Sequence, residues 1–310
     1  MPQSQALGFN LLTSPSGAVL ANPASQVGRS LFVNPASGSN ASGGVKWSTA
    51  FATIAAALAV AMPGDVIYLG TGEYDENIVV TTDYLTIIGA AAGYGRPDWV
   101  ASAGTPLTVQ AQGFVASNIR FSSADSDVVV QNGNGFTYSG CVFDGDGQSS
   151  SEALLRLVGL ADDDSYTASE GVVSGCLFRG CTSGIGIAMQ YAANPSGVGT
   201  TDNQIVGNRF VGNGVDLKSL TNTSGGGAGI FLNYLIAGNW FQTVGAAYVY
   251  ADMNQGAAGD LAANSALISG NWFADAVMIA AQFAIDGQPN ILFTGNYDAT
   301  SLVDGSAFNS

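Results

Sequence analysis

The carboxylates that could do chemistry are grouped in a few short stretches of the sequence. Hydrolysis of a glycosidic bond needs two carboxyl groups at a suitable separation, and adjacent carboxylates repel one another and so favour a bound cation. Each candidate also has a plainer interpretation, a solvent-facing charge that keeps an apolar protein soluble. The candidates, with the basic residues that could assist them, are Asp144, Asp146, Asp162, Asp163, Asp164, Asp216, Arg179 and Arg209.

Calcium is the cation that these stretches would bind. Segment 144–147 (DGDG) resembles half of a calcium loop, but Gln148 at the fifth position and Leu155 at the twelfth do not fit the EF-hand pattern. The acidic run 162–164 is predicted to lie on a protruding loop, at about 148–170. We expect no cofactor and no metal, with calcium at these aspartates as the alternative.

The composition excludes several classes of function. The chain has no histidine, which excludes Ser-His-Asp triads and histidine metal sites. Its 8 Lys+Arg against 23 Asp+Glu give a net charge of −15, so we expect it to bind neither nucleic acid nor an acidic membrane surface. The three cysteines, Cys141, Cys176 and Cys181, are too few for a disulfide scaffold.

The N-terminal segment 1–30 has no charged residue through Gly28 and no basic start, so no Sec signal is expected. Phe9, Leu11 and Leu12 make it more apolar than a free tail requires. We therefore interpret it as an extended arm that docks on a neighbouring subunit. A disordered leader is the alternative.

An internal repeat determines the predicted architecture. Glycines 140, 175, 207, 238, 270 and 295 recur at steps of 35, 32, 31, 32 and 25 residues, and a looser copy precedes them at 116–121. Repeats of this length are typical of solenoids and propellers. The repeated phrases are YSGCVF, VSGCLF, IVGNRF, IAGNWF, ISGNWF and FTGNYD.

Each phrase has the chemistry of a strand, a tight bend and a second strand. Gly and Asn tolerate the left-handed backbone of such a bend. If every phrase falls at the same corner of a coil, the phenylalanines 143, 178, 210, 241 and 273 stack in one interior column. Asparagines 208, 239, 271 and 296 would then form a hydrogen-bonded ladder. Cys141 and Cys176 occupy the ladder position in the two earlier copies, where stacked thiols are expected and a disulfide is the alternative.

The residue before each phenylalanine should point outward, because side chains alternate along a strand. An apolar stripe exposed along a rod is typical of an interface or a ligand platform. Packing against sister subunits around a three-fold axis, or against another protein, is one interpretation, and stacking of sugar rings is another. Cover by the chain's own loops is the third. The positions are Val142, Leu177, Arg209, Trp240, Trp272 and Tyr297.

Segment 63–89 (PGDVIYLGTGEYDENIVVTTDYLTIIG), preceded by an Ala-rich helix candidate at 46–62, resembles the opening coil of the pectin-lyase-like superfamily. This resemblance implies an all-β, right-handed parallel β-helix with a short N-terminal capping helix. The expected divisions are an arm at 1–30, a lead-in and capping helix at 31–62, and the β-helix at 63–310. About eight or nine coils would give a rod roughly 40–45 Å long.

The resemblance says less about activity, since this fold carries several functions. Lyases of the family use calcium and an Arg or Lys base, and hydrolases use two or three aspartates. The chain is most similar to non-catalytic β-helix proteins of bacteriophage virions. We therefore expect a decoration protein, fibre or spike, homotrimeric, made in the host cytoplasm without a Sec signal, and in contact with other virion proteins and host glycans. A polysaccharide lyase or glycoside hydrolase and an extracellular bacterial adhesin are the alternatives.

Overall fold

The computed structural model describes residues 12–13, 19–20, 28–90, 95–145, 148–159, 167–190, 199–220, 233–242, 249–252, 265–274, 283–284, 291–298 and 302–303. Within these ranges the chain visits three sheets in turn and then begins the next coil. Strands β4 to β27 form eight complete coils, and β28 and β29 begin a ninth. The predicted parallel β-helix is confirmed.

The strands are numbered in chain order. Sheet 1 consists of β3 Ser30–Val33, β4 Val66–Leu69, β7 Thr86–Gly89, β10 Val115–Ser117, β13 Thr137–Ser139, β16 Val172–Ser174, β19 Gln204–Val206, β22 Tyr234–Ala237, β25 Ala266–Ser269 and β28 Ile291–Thr294. Sheet 2 consists of β5 Glu73–Asp75, β8 Asp98–Ala101, β11 Arg120–Ser123, β14 Val142–Gly145, β17 Leu177–Arg179, β20 Arg209–Val211, β23 Trp240–Phe241, β26 Trp272–Phe273, β29 Asn296–Tyr297 and β30 Leu302–Val303.

Sheet 3 consists of β6 Ile78–Val80, β9 Leu107–Val109, β12 Val129–Gln131, β15 Ala153–Val158, β18 Ile185–Gln190, β21 Val215–Leu220, β24 Val249–Asp252 and β27 Phe283–Ala284. Every pairing in the three sheets is parallel except β29 with β30. At the N-terminus, β1 Leu12–Thr13 pairs antiparallel with β2 Val19–Leu20. Phe9 and Leu11 lie outside the described residues.

The repeated phrase forms the corner between sheets 1 and 2. Two residues join the strands, as Gly207 and Asn208 do between β19 and β20. The six glycines of the phrase have φ between 60° and 64°, in the left-handed region that glycine adopts without strain. The predicted strand–bend–strand is confirmed.

The phenylalanines stack along the interior as predicted. Successive ring centroids from Phe143 to Phe273 lie 4.6, 5.0, 4.9 and 4.9 Å apart, with nearly parallel planes. Phe121 and Trp99 extend the column toward the N-terminal end. Because the same position is aromatic in consecutive coils, the core is continuous along the rod and fixes the register of sheet 2.

The asparagine ladder is also present. Asn239 shows its pattern: its Oδ1 accepts from the backbone N–H and Nδ2 of Asn208 at 2.8 and 3.1 Å. Its Nδ2 donates to the Ile205 carbonyl and to Oδ1 of Asn271 at 2.8 and 3.0 Å. Asn296 closes the ladder by accepting from Asn271. Each buried amide therefore satisfies backbone groups that the sheets leave unpaired at the corner.

The cysteines lie in the core as free thiols. Cys176 and Cys141 take the ladder position one and two coils before Asn208, whose Oδ1 accepts from the Cys176 backbone N–H at 2.9 Å. The Cys176 thiol donates to the Ser174 carbonyl at 3.4 Å. Burial raises the pKa of the Cys181 thiol to about 12, so that thiol is protonated and unreactive at neutral pH.

The capping helix is shorter than the predicted 46–62. The α-helix α1 covers Ile54–Leu58, after a 3₁₀ turn at Trp47–Thr49. The Glu76 carboxylate accepts from the backbone N–H of Ile54 and of Ala55 at 2.7 and 2.9 Å. The side chain of Ile54 is buried at the end of the rod. Strand β3 precedes this helix, so sheet 1 begins at Ser30. None of the described helices is long and apolar enough to span a membrane.

Asp65 stabilises this N-terminal end through hydrogen bonds, and we expect that stabilisation to depend on pH. Its buried carboxylate accepts from Nη2 and the backbone N–H of Arg29, both at 2.7 Å, and from Met62 N–H at 2.9 Å. Burial alone would raise the pKa of Asp65, but these hydrogen bonds outweigh it and lower that pKa. The stabilisation is therefore complete above the ordinary pKa of an aspartate, and it is lost as the pH falls through the lowered value.

We expect Asp65→Asn to lower the free energy of unfolding by about 2 kcal/mol at about pH 6. The difference from the wild-type protein should shrink toward about pH 3, in urea unfolding followed by circular dichroism. The exposed Asp125→Asn is the control and should change little at either pH. A difference for Asp65→Asn that stays constant with pH would contradict the prediction.

Candidate functional site

The exterior of sheet 2 carries most of the side chains that could contact a ligand. Each sheet 2 strand from β5 to β26 buries an aromatic residue in the core, so the residue before it points outward, and Tyr297 on β29 continues the line in register with Trp272. The parallel register aligns these outward residues into one line, which we call the sheet 2 column. Its members are Glu73, Asp98, Arg120, Val142, Leu177, Arg209, Trp240, Trp272 and Tyr297.

The column is aromatic at its C-terminal end. Trp240 and Tyr297 are 47% and 51% exposed, and Trp272 between them is half-buried. The rings of Trp240 and Trp272 meet edge to face, with centroids 4.8 Å apart. The Arg209 guanidinium lies 5.9 Å from the centroid of Trp240, and its Nε donates to Oε1 of Gln242. The outward line predicted from the repeat is therefore present, and its own chain leaves most of it open.

The column is charged near its N-terminal end. Nη1 of Arg120 donates to Oδ2 of Asp98 at 2.7 Å, and Nη2 contacts Oδ2 of Asp144 at 2.9 Å. Arg179 contacts the same oxygen of Asp144 at 2.6 Å. A shallow cleft of about 410 Å³ adjoins this network, lined by Arg120, Asp144, the last two residues of β8 and the serines of β11.

Asp98 is the carboxylate of this network with the most perturbed environment. Burial raises its pKa, the Arg120 charge opposes this, and the charges of Glu73 and Asp144 add to the rise. Its Oδ1 is buried and has no hydrogen-bond partner, while Oδ2 binds Arg120. Neither oxygen therefore presents a proton to the cleft.

Of the described catalytic candidates from the sequence, only Asp144 and Arg179 come together, beside the cleft. Asp144 and Arg179 pair with each other, and Arg209 lies on the other side of Leu177, toward the aromatic end. Asp216 is fully buried and accepts from Nδ2 of Asn213 at 2.9 Å. Asp146 and the run 162–164 lie outside the described residues. Within the described part of the chain, no group of three potential metal ligands comes together.

The sequence prediction missed Arg120, Asp98 and Asp127. Arg120 stands in the looser phrase at 116–121, directly before Phe121, so its equivalence to Arg209 was the available signal. Asp127 and Arg156 form a bidentate pair on the exterior of sheet 3, with N–O distances of 2.6 and 2.7 Å. No phrase marks Asp127, Arg156 or Asp98, so only the folded register brings them to their partners.

No protein-family model and no curated protein matches the sequence. The structure is similar to a GH136 lacto-N-biosidase from Eubacterium ramulus, with a TM-score of 0.61 and 12% identity over 87% of this chain and 56% of that one. This chain thus spans little more than half the length of that enzyme. A rhamnogalacturonan lyase gives a TM-score of 0.55 with 14% identity, over 87% of this chain and 74% of that one.

A pectate lyase gives a TM-score of 0.52 with 11% identity, over 91% of this chain and 82% of that one. At these identities the similarities show the fold. The chain has a parallel β-helix fold, as the resemblance implied.

Proposed function

We propose that this protein is a non-catalytic β-helix that binds carbohydrate along the exterior of sheet 2. The observation that carries the proposal is the alignment of Arg209, Trp240, Trp272 and Tyr297 on consecutive coils. At the strand spacing of ~4.8 Å these four side chains span about 14 Å. Aromatic faces stack on sugar rings, and a guanidinium beside them can donate hydrogen bonds to hydroxyl groups.

The hydrogen bonding of the carboxylates favours binding over catalysis. Asp144 shares one oxygen between two arginines, and Asp98 has one oxygen buried and the other paired with Arg120. A general acid must reach the glycosidic oxygen with its proton. Asp144, which lines the cleft, is instead held between Arg120 and Arg179, and the neighbouring Asp98 is paired with Arg120.

Two further considerations concern the ligand. The three similar structures are named as a lacto-N-biosidase, a rhamnogalacturonan lyase and a pectate lyase, names that all refer to carbohydrates, which supports carbohydrate as the ligand class. The net charge of −15 disfavours a polyanionic chain, because repulsion lowers the local concentration of a like-charged ligand. We therefore expect neutral glycans to bind more tightly than pectate or rhamnogalacturonan.

The test is affinity electrophoresis and calorimetry against a panel of neutral and acidic polysaccharides. We expect the double variant Trp240→Ala, Trp272→Ala to bind at least about 10-fold more weakly than wild type, the loss of one or two stacking contacts. Trp47→Ala is the matched control, since Trp47 is 43% exposed at the opposite end of the rod. Its affinity should equal that of wild type.

Two outcomes would contradict the proposal. Equal affinity of the double variant and wild type would show that the aromatic end of the column does not contribute to carbohydrate binding. Release of new sugar ends from any polysaccharide would favour the alternative, a lyase or glycoside hydrolase.

We further propose that the rod serves in a bacteriophage virion, as a decoration protein, fibre or spike that contacts host glycans. Its support is the sequence resemblance to non-catalytic virion β-helix proteins, together with a surface suited to glycans. Mass spectrometry of purified particles should detect the chain at a fixed copy number. Its absence from particles that contain the other structural proteins would contradict this role.

A further inference from the structure

The exterior of sheet 1 carries no charged residue. Each of the ten strands of sheet 1 points two side chains outward, which gives two columns of ten positions. The first is Ser30, Val66, Thr86, Val115, Thr137, Val172, Gln204, Leu235, Leu267 and Leu292. The second is Phe32, Tyr68, Ile88, Ser117, Ser139, Ser174, Val206, Ala237, Ser269 and Thr294.

The described part of the chain leaves most of this face open. None of the twenty side chains is fully buried, and Leu267 and Leu292 are 37% and 60% exposed. At the N-terminal end of the face, the ring of Trp47 packs against Phe32, with centroids 4.8 Å apart. The other two sheets differ, since the exterior of sheet 2 carries Asp98 and Arg120 and that of sheet 3 carries Arg156 and Lys218. The neutral face is therefore specific to sheet 1, in a chain of net charge −15.

We propose that a second copy of this chain packs on this face, sheet 1 against sheet 1. Two copies with a charge of −15 each repel one another, and contact through sheet 1 is the approach that places no carboxylate of either sheet face opposite another. This makes the face suited to a like-charged partner, whereas a basic partner would be drawn to the acidic surfaces.

The size of the face fits a modest but specific contact. Ten strands at about 4.8 Å, each three or four residues wide at about 3.3 Å per residue, cover roughly 500 Å². Two copies would bury about 1,000 Å² in total, near the lower bound for a specific interface. Small side chains at the middle of the face, such as Ser139 and Ser174, let two flat sheets approach to about 10 Å.

A face that packs on itself has a two-fold axis, so residues near its centre lie close to their own copies. The central strands of the ten are β13 and β16. Thr137 on β13 should therefore face the same strands of the partner copy. Thr137→Glu would place one carboxylate from each copy near the axis, in a contact that excludes water.

The test is sedimentation velocity over roughly 1–100 µM. We expect wild type to approach a dimer, twice 31.4 kDa, and Thr137→Glu to dissociate at least about 100-fold more readily. Thr108→Glu is the matched control. Thr108 lies outward on sheet 3 between Val79 and Val130, as Thr137 lies between Val115 and Val172, and both are half-buried. This control should keep the wild-type mass.

Ser139→Cys gives an independent readout that does not weaken the fold. On mild oxidation it should form a disulfide-linked dimer, and Thr108→Cys should not, since the native thiols are buried. A wild-type monomer at all concentrations would overturn the proposal. The homotrimer expected from the sequence would also overturn it, because a three-fold arrangement cannot form a self-complementary contact. So would loss of the dimer in the Trp240→Ala, Trp272→Ala variant but not in Thr137→Glu. The Trp240→Ala, Trp272→Ala variant tests the proposed carbohydrate site, and Thr137→Glu tests the proposed dimer. Failure of one proposal therefore leaves the other standing.

Discussion

Replacement of Asn239 by alanine should lower the free energy of unfolding by about 3–5 kcal/mol. The variant loses four buried hydrogen bonds at once: two that Asn208 donates to Oδ1, and two that Nδ2 donates to Ile205 and Asn271. The Asn208 backbone N–H and the Ile205 carbonyl then remain buried without a side-chain partner at this corner. The cost therefore includes their desolvation as well as the lost bonds.

Two further variants make this expectation specific to the ladder. Asn77→Ala removes an exposed amide that donates two hydrogen bonds, to the carbonyls of Ala103 and Thr105 at 2.9 Å. It should cost about 1 kcal/mol or less, because water replaces the lost bonds. Asn239→Cys should fall between the two, since cysteines occupy the ladder position at 141 and 176. Urea unfolding measures all three, and equal losses for Asn239→Ala and Asn77→Ala would contradict a stabilising role of the ladder.

The fold could be predicted because its determinants lie within one short phrase. Glycine at the bend, asparagine or cysteine after it and phenylalanine two residues later each have a separate physical task, and together they recur in five consecutive coils, up to Phe273. The looser copy shows why the signal fades toward the N-terminus. There, Asn118 takes the left-handed position with φ of 55°, and the apolar Ile119 takes the ladder position. The backbone conformation of the bend is the same in the looser copy, but the glycine and asparagine that mark the phrase are replaced.

The capping helix illustrates a limit of local pattern. The Ala-rich segment 46–62 favours a helix along its whole length by intrinsic propensity. The helix begins after Thr53, whose Oγ1 accepts from the backbone N–H of Ala56 at 3.2 Å. The carboxylate of Glu76, more than twenty residues away, adds a second cap by accepting from the backbone N–H of Ile54. Local propensity alone therefore does not give the five-residue length of this helix.

The charged part of the sheet 2 exterior could be predicted only in part, for a related reason. Asp144 and Arg179 each directly follow the phenylalanine of their phrase, so the phrase aligns them on neighbouring strands. Arg120 precedes Phe121 in the looser copy, where the phrase is harder to recognise. Asp98 belongs to no copy of the phrase, so only the strand register brings it to Arg120. The sequence therefore predicts the aromatic end of the column and leaves the Asp98–Arg120 pair to be found in the structure.

Truncation of Phe178 should destabilise the protein by about 3–5 kcal/mol. Its fully buried ring stacks between Phe143 and Phe210, with centroids 4.6 and 5.0 Å away and interplanar angles of 3° and 12°. In Phe178→Ala both neighbours lose a stacking partner, and a cavity remains because parallel strands on each side hold the coils apart. Phe178→Leu keeps most of the volume and should cost about half as much.

The matched control is the adjacent residue on the same strand. Leu177 points outward between Val142 and Arg209 and is only half-buried, so Leu177→Ala should cost about 1 kcal/mol or less. Thermal and urea unfolding of these variants therefore measure separately how much the inward and the outward side chain of one strand contribute to stability. A loss for Leu177→Ala as large as that for Phe178→Ala would mean that the outer side of sheet 2 is packed as tightly as the core. A surface so covered would not leave the sheet 2 column open to a carbohydrate, which ties the stability of this strand to the proposed function.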